Sequence, residues 1–185
     1  MRKLVLKMQM SLDGFVCGPN GEPDWIFSSM DEACTAWIVD GLWQAGVHLM
    51  GRVTYQDMAA YWPTSSEPFA APMNEIPKFV FSRTLEEAPW GDTMIVRGDV
   101  AEEITRLKQL PGRDMLAHGG ARFGRSLVRL GLVDEYRLVV HPVVLGEGLS
   151  LFDGIAAPRD LTLASATPFP GGAVAMVYRP AMKNF

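Results

Sequence analysis

Three stretches of the chain place a glycine, or an arginine between hydroxyls, at the end of a short apolar run. The first is His48-Leu49-Met50-Gly51-Arg52-Val53-Thr54-Tyr55. Gly51 would let a ligand approach the backbone, and Arg52 and Thr54 fall in the first turn of a following helix. Unpaired N–H groups and the positive end of the helix dipole favour a phosphate there. The second is Lys78-Phe79-Val80-Phe81-Ser82-Arg83-Thr84, where an arginine flanked by hydroxyls at a strand end suits the 2′-phosphate that separates NADP from NAD. In the third, Met115-Leu116-Ala117-His118-Gly119-Gly120-Ala121-Arg122, paired glycines suit a diphosphate pressed against the backbone. Each has a plainer alternative: a tight strand-to-helix turn, a solvated loop arginine, an incidental Gly-Gly. Three phosphate-competent junctions on consecutive strands are less expected by chance than any one alone.

Alternating strands and helices must position these junctions. Leu4, Leu6 and Met8 alternate with Val5, Lys7 and Gln9, the period of a strand, which Asp13-Gly14 ends. Ser29 and Glu32 have the spacing of a capping box, opening a helix that runs to about Ala45. A strand over 47–50 and a helix over 52–60 follow, then a proline-rich loop over 61–77. Strands are expected at 78–82, 93–97 and 114–118, with helices over 100–110 and from Gly120 to Leu130. From Glu135 to Arg179 the chain reads as strands, with a Pro-Gly-Gly turn at 170–172. This order predicts a three-layer α/β/α fold whose mostly parallel mixed sheet ends in an antiparallel C-terminal edge. Ligands of such sheets bind beyond the carboxyl ends of the strands.

The 185 residues suit one domain spanning 1–185. A net charge of −4 carries no basic face for nucleic acid, and no apolar run is long enough to span a bilayer. Cys17 and Cys34 form no CxxC and are expected to be free thiols in a reducing cytoplasm. The eleven methionines are expected to fill core gaps.

Ser11-Leu12-Asp13-Gly14, Met50-Gly51-Arg52-Val53-Thr54, Phe81-Ser82-Arg83-Thr84, Gly119-Gly120, Gly131-Leu132-Val133-Asp134-Glu135 and Pro142-Val143-Val144-Leu145-Gly146-Glu147-Gly148 occur in this order over nearly the whole chain. Together they resemble the dihydrofolate-reductase-like fold. The closer resemblance within it is to stand-alone relatives of the reductase domain of the riboflavin-biosynthesis deaminase–reductase. It implies an NADPH-dependent reductase, a small-molecule substrate and a homodimer. Gly51, Arg52 and Thr54 would contact phosphates, and Ser82, Arg83 and Thr84 would hold the 2′-phosphate end. Gly119, Gly120, Ala121 and Arg122 would line the pyrophosphate, with Phe15 and Val16 near the nicotinamide.

On the substrate side, Lys7 matches a lysine that the riboflavin reductases place at the substrate. The acidic residue they carry before the paired glycines is His118 here, and Asp57 is a shifted counterpart of another acidic position. The zinc motif of the deaminase half, His-x-Glu with Pro-Cys-x-x-Cys, is missing, which excludes deamination by this chain. A pterin reductase would need a carboxylate in the first helix, for which Asp31 or Glu32 is placed, with Trp25 nearby. Asp13 is a further candidate carboxylate, although Asp-Gly at a strand end is first of all a turn. Trp37 reads as core and Trp62 as pocket rim. The expectation is hydride transfer from NADPH to a small heterocyclic or imine-like substrate, oriented by Lys7, Asp13 or Asp31. A pterin reductase, a non-catalytic NADPH-binding sensor and an NADPH-independent scaffold are the rivals.

Overall fold

The computed structural model describes residues 1–181. Its elements are β1 (Leu4–Ser11), β2 (Phe15–Cys17), α1 (Glu32–Trp43), β3 (Val47–Gly51), α2 (Arg52–Tyr61), α3 (Ala70–Glu75), β4 (Lys78–Phe81) and β5 (Thr93–Val96), followed by α4 (Val100–Gln109), β6 (Met115–Ala117), α5 (Ala121–Arg129), β7 (Glu135–His141), β8 (Leu149–Ser150), β9 (Leu161–Pro168) and β10 (Val174–Pro180). Among the described residues β5-β4-β3-β6-β1-β7-β10-β9 form one eight-stranded sheet. The six strands from β5 to β7 pair in parallel, and β10 and β9 close the sheet antiparallel. The expected architecture is therefore the observed one.

Strand alternation assigns the two faces. Leu4, Leu6, Met8 and Met10 pack with Ile104 and Leu107 of α4 and Leu127 and Val128 of α5. Val5 points the other way, against Cys34, Ile38 and Leu42 of α1, Tyr55 of α2 and Met73 of α3. Burying each large aliphatic side chain contributes roughly 1.5–3 kcal/mol, so these two apolar stripes hold the three layers together. Lys7, Gln9 and Ser11 lie on the same side of β1 as Val5, at the strand's carboxyl half.

Several local details differ from the sequence reading. The cap of α1 is Asp31, whose carboxylate accepts from the Cys34 N–H at 2.8 Å, and not Ser29. Asp24–Ser29 forms a 3-10 turn first, and the Ser29 hydroxyl is spent on His141 Nδ1 at 2.8 Å. The stretch over 61–77 is not all loop. It holds a 3-10 turn at Trp62–Thr64 and then α3, in whose first turn Pro72 forfeits no intrahelical bond. In the C-terminal run, β8 leaves the main sheet and pairs antiparallel with β2. The turn at 170–172 forms as expected, with Gly172 at φ +93° and its N–H donated to Phe169 O.

At the amino end of β7, Glu135 is buried and bonds Arg137 Nε at 2.9 Å and Arg179 Nε at 3.0 Å. Burial alone would raise its carboxyl pKa, but the hydrogen bonds and charges of the two arginines outweigh it and leave the pKa lowered. A carboxylate with a depressed folded-state pKa stabilises fully above its ordinary unfolded value and loses that contribution as pH falls through the folded one. Glu135→Ala should cost about 2 kcal/mol at neutral pH, between the exposed and buried ion-pair limits. Urea melts at neutral and acid pH check this: the deficit should shrink as pH falls below the carboxylate range, and a constant deficit would show that the pairing is not its source.

Candidate active site

Parallel pairing gathers the three junctions at one edge of the sheet. Gly51 ends β3 and caps α2, Ser82 and Arg83 follow β4, and His118, Gly119 and Gly120 link β6 to α5. The first and third are tied directly, since Thr54 Oγ1 donates to Gly119 O at 3.1 Å and the His118 N–H donates to Leu49 O at 2.9 Å. Gly120 has φ +95°, and a Cβ there would collide with Thr54 Oγ1, so both shape and dihedral call for glycine. At Gly51 a Cβ would crowd Phe123 Cβ at 3.3 Å.

Capping differs among the helices, and the short α3 also begins without a side-chain cap. The side chains of Asp31 and Asp99 occupy the N-termini of α1 and α4. The N-termini of α2 and α5, where the glycine junctions deliver the chain, have no side-chain cap. Their orphan N–H groups are thus left for an anion. Arg52 Nη1 bonds Gln56 Oε1 at 3.1 Å, whereas the guanidiniums of Arg83 and Arg122 contact no described hydrogen-bond partner. A cleft of about 240 Å³ opens beside the second junction, its lining including Phe81, Ser82, Arg83, Gly98, Asp99 and Phe123. The Ser82 oxygen accepts from the Thr84 and Leu85 N–H groups at 3.2 and 2.9 Å, which orients it and leaves its proton to donate. Thr84 is exposed beside it. Ala121 is buried at the start of α5, and exposed Arg122 follows it.

A second group gathers on the α1 side of the sheet. Lys7 is half-buried, makes no hydrogen bond or ion pair with a described residue, and burial brings its ammonium pKa down to about 8. Burial first, with the Lys7 charge adding to it, lowers the pKa of His48, His118 and His141 alike, all three of the chain's histidines. His118 Nε2 lies 2.7 Å from His48 Nδ1, and both rings are buried. His141 is held by Ser29 and by Gln9 Oε1, 2.8 Å from Nε2, with the Trp25 ring edge-on at 5.6 Å. Burial raises the Cys34 thiol pKa, as does Asp31, with Lys7 opposing, so the thiol stays protonated at neutral pH.

Other candidates have structural work. Asp13 is exposed, accepts from Ser11 Oγ at 2.7 Å and from the Leu145 and Gly146 N–H groups, and so ties the end of β1 to the loop after β7. The Ser11 bond and then the Gly146 bond lead in bringing its pKa down to about 2. Asp31 accepts from both Cys34 N–H and Gly171 N–H. Phe15 and Val16 lie on the β2–β8 ribbon, where Val16 packs onto the α4–α5 core. Asp57 is exposed on α2 and bonds no described residue. Trp62 packs edge-on against Phe69 at 6.1 Å, and Trp37 against Phe169 at 6.4 Å. His48, His141, Gln9 and Ser29 escaped the sequence reading. The available signal was that His141, like His118, ends a run of strand residues on the ligand side.

The chain belongs to the RibD C-terminal domain family, whose pattern it matches over residues 2–175. The uncharacterised protein YyaP of Bacillus subtilis is 35% identical over 182 residues, covering 96% of this chain and 94% of YyaP. Among solved structures, a Thermotoga maritima diaminohydroxyphosphoribosylaminopyrimidine deaminase/5-amino-6-(5-phosphoribosylamino)uracil reductase superposes with a TM-score of 0.70 at 16% identity, over 97% of this chain and 57% of that one. Enterococcus faecalis dihydrofolate reductase, solved with NADP(H), gives 0.63 at 13% identity, over 96% of each chain. These likenesses establish the dihydrofolate-reductase-like fold. Among the described residues no helix is long and apolar enough to cross a membrane.

Proposed function

We propose that the chain is an NADPH-dependent reductase acting on a small heterocyclic or imine-like substrate, in the manner of 5-amino-6-(5-phosphoribosylamino)uracil reductase. The observation that carries this reading is that the uncapped N-termini of α2 and α5 open at one edge of the sheet, each delivered by a glycine junction and tied together by the Thr54–Gly119 bond. The phosphates of a dinucleotide supply what those N-termini lack, with Arg52, Thr54, Gly119, Gly120, Ala121 and Arg122 around them. Ser82, Arg83 and Thr84, at the mouth of the neighbouring cleft, would take the 2′-phosphate. Bound there, NADPH would supply the hydride. Lys7 orients and polarises the substrate oxygen or nitrogen from the other side, since its half-buried ammonium makes no hydrogen bond or ion pair with a described residue. A pterin substrate is disfavoured because Asp31 is spent on capping α1 and on Gly171.

The homodimer has its own support in β9. This edge strand, Leu161–Pro168, carries no charge, and Leu163 is 52% exposed. Long uncharged edges pair with other chains unless guarded. The occupant that fits is the same strand of a second copy.

Three outcomes test these readings. NADPH should raise the melting temperature more than NADH, and Arg83→Ala should remove that preference; equal loss for both nucleotides would sink the clamp. With a turnover substrate in hand, the rate should hold below about pH 8 and fall above it as the Lys7 ammonium deprotonates. Lys7→Arg should move that limb to higher pH, and an unmoved limb assigns it elsewhere. Sedimentation should find a dimer that Leu163→Lys converts to monomer, whereas a monomeric parent chain would refute the pairing.

A further inference from the structure

The bonds around His48 and His118 fix which nitrogen of each ring carries its proton. His48 Nε2 lies 3.2 Å from the Pro72 carbonyl oxygen. A carbonyl only accepts, so Nε2 holds the proton, and a neutral imidazole then has a bare lone pair on Nδ1. His118 Nε2, 2.7 Å from that lone pair, must donate to it. The chain of bonds therefore leaves His118 Nδ1 as an acceptor. Neither ring is bonded to a carboxylate among the described residues that would hold a second proton. Burial first, then the charges of neighbouring histidine and lysine side chains, keeps the His118 pKa well below its ordinary value; burial likewise brings His48 down to about 4.

His118 Nδ1 bonds no described residue, although the side chain is 3% exposed. Among the described residues no fully occluded polar side-chain atom lacks a partner, so this nitrogen keeps some accessible surface. Lys7 is the neighbour of His118 on that face of the sheet. Leu6 and Ala117 pair across β1 and β6, and Lys7 and His118 are the next residues on those two chains, on the same face. His141 is the contrast: Ser29 and Gln9 use both its nitrogens and leave nothing for a ligand.

We propose that His118 determines specificity in the Lys7 pocket: locked through His48 and the Pro72 carbonyl, its Nδ1 accepts a hydrogen bond, so the ligand must present an N–H or O–H to it. The ligand's adjoining atom, facing the Lys7 ammonium, is an acceptor oxygen or nitrogen. A carboxylate at position 118 would also accept, but it would neutralise Lys7. The imidazole accepts without doing so, which leaves the pocket one uncompensated positive charge and selects neutral or anionic ligands over cationic ones. The identification of this pocket as the substrate site rests on the reductase reading; the tautomer lock does not.

With only three histidines, protein labelled with nitrogen-15 in its imidazoles can be followed by long-range proton–nitrogen spectra, assigned with His48→Gln, His118→Gln and His141→Gln. His48 and His118 should both show the Nε2–H tautomer from roughly pH 6 to pH 8. Uracil, an N–H donor, should shift the His118 Nδ1 resonance, and its N,N′-dimethylated derivative should not. His118→Asn, which can keep an acceptor near the Nδ1 position, should retain uracil affinity within about threefold, while His118→Gln should lose about tenfold. An Nδ1–H tautomer or an imidazolium at His118, an equal response to both compounds, or no response at uracil's solubility limit would overturn the proposal. NADPH titrated into the same sample separates the two readings. The lock and uracil response without NADPH binding overturn only the reductase reading, and NADPH binding with an Nδ1–H His118 overturns only this one.

Discussion

Parallel pairing of β1 with both β6 and β7 is the constraint on which the rest of the molecule depends. It fixes Leu4 beside Met115 and Val5 beside Glu135, and from that register every carboxyl-end residue of the central strands takes its place. Slipping β1 by one residue would turn Lys7 and Gln9 into the α4–α5 core and bring Leu6 and Met8 to the ligand side. Such a slip is opposed by the full apolar stripe of Leu4, Leu6, Met8 and Met10. The position of one lysine is thus set by four apolar neighbours that never meet a ligand.

Polar groups around the site divide into those already satisfied and those left open. Asp13, Asp31, Asp99, Ser11 and His141 are bonded within the chain and hold turns, helix ends and strands in place. Lys7, His118 Nδ1, Arg83 and Arg122 are not. Most buried polar groups in a folded protein have partners, so the unpaired His118 Nδ1 and the half-buried Lys7 ammonium are the groups the proposed substrate would use, whereas the exposed Arg83 and Arg122 are solvated without one. Lys78 shows that burial alone is no such sign. Its ammonium is buried and its pKa is brought down to about 8, yet it bonds the carbonyls of Asn74 and Ile76 and sits over the Trp90 ring at 4.5 Å.

The alternation of β1, the glycine junctions and the all-strand tail carried the fold in the sequence, because each is a local pattern with one dominant physical solution. The gathering of the three junctions at one sheet edge was legible for the same reason, since each junction is contiguous. Roles for Asp13 and Asp31 were harder to read. Whether a carboxylate is free depends on the Leu145, Gly146 and Gly171 N–H groups, which are far along the chain. Ser29 looked like a cap because a capping box is judged by spacing, yet its hydroxyl is claimed by His141, 112 residues away. The histidine pair was invisible for a related reason: His48 and His118 meet only once β3 and β6 have paired.

That same sheet order has a consequence for biosynthesis. The central strand is made before the other strands of its sheet, but both its neighbours lie beyond residue 114. Until more than half the chain has emerged, β1 has no strand to pair with, and its row of leucines and methionines stays open to solvent or to other nascent chains. Long-range pairings of this kind slow folding and lengthen exposure to aggregation. The registry that sets the position of Lys7 in the finished protein therefore leaves the unfinished one with an apolar strand that waits for its partners.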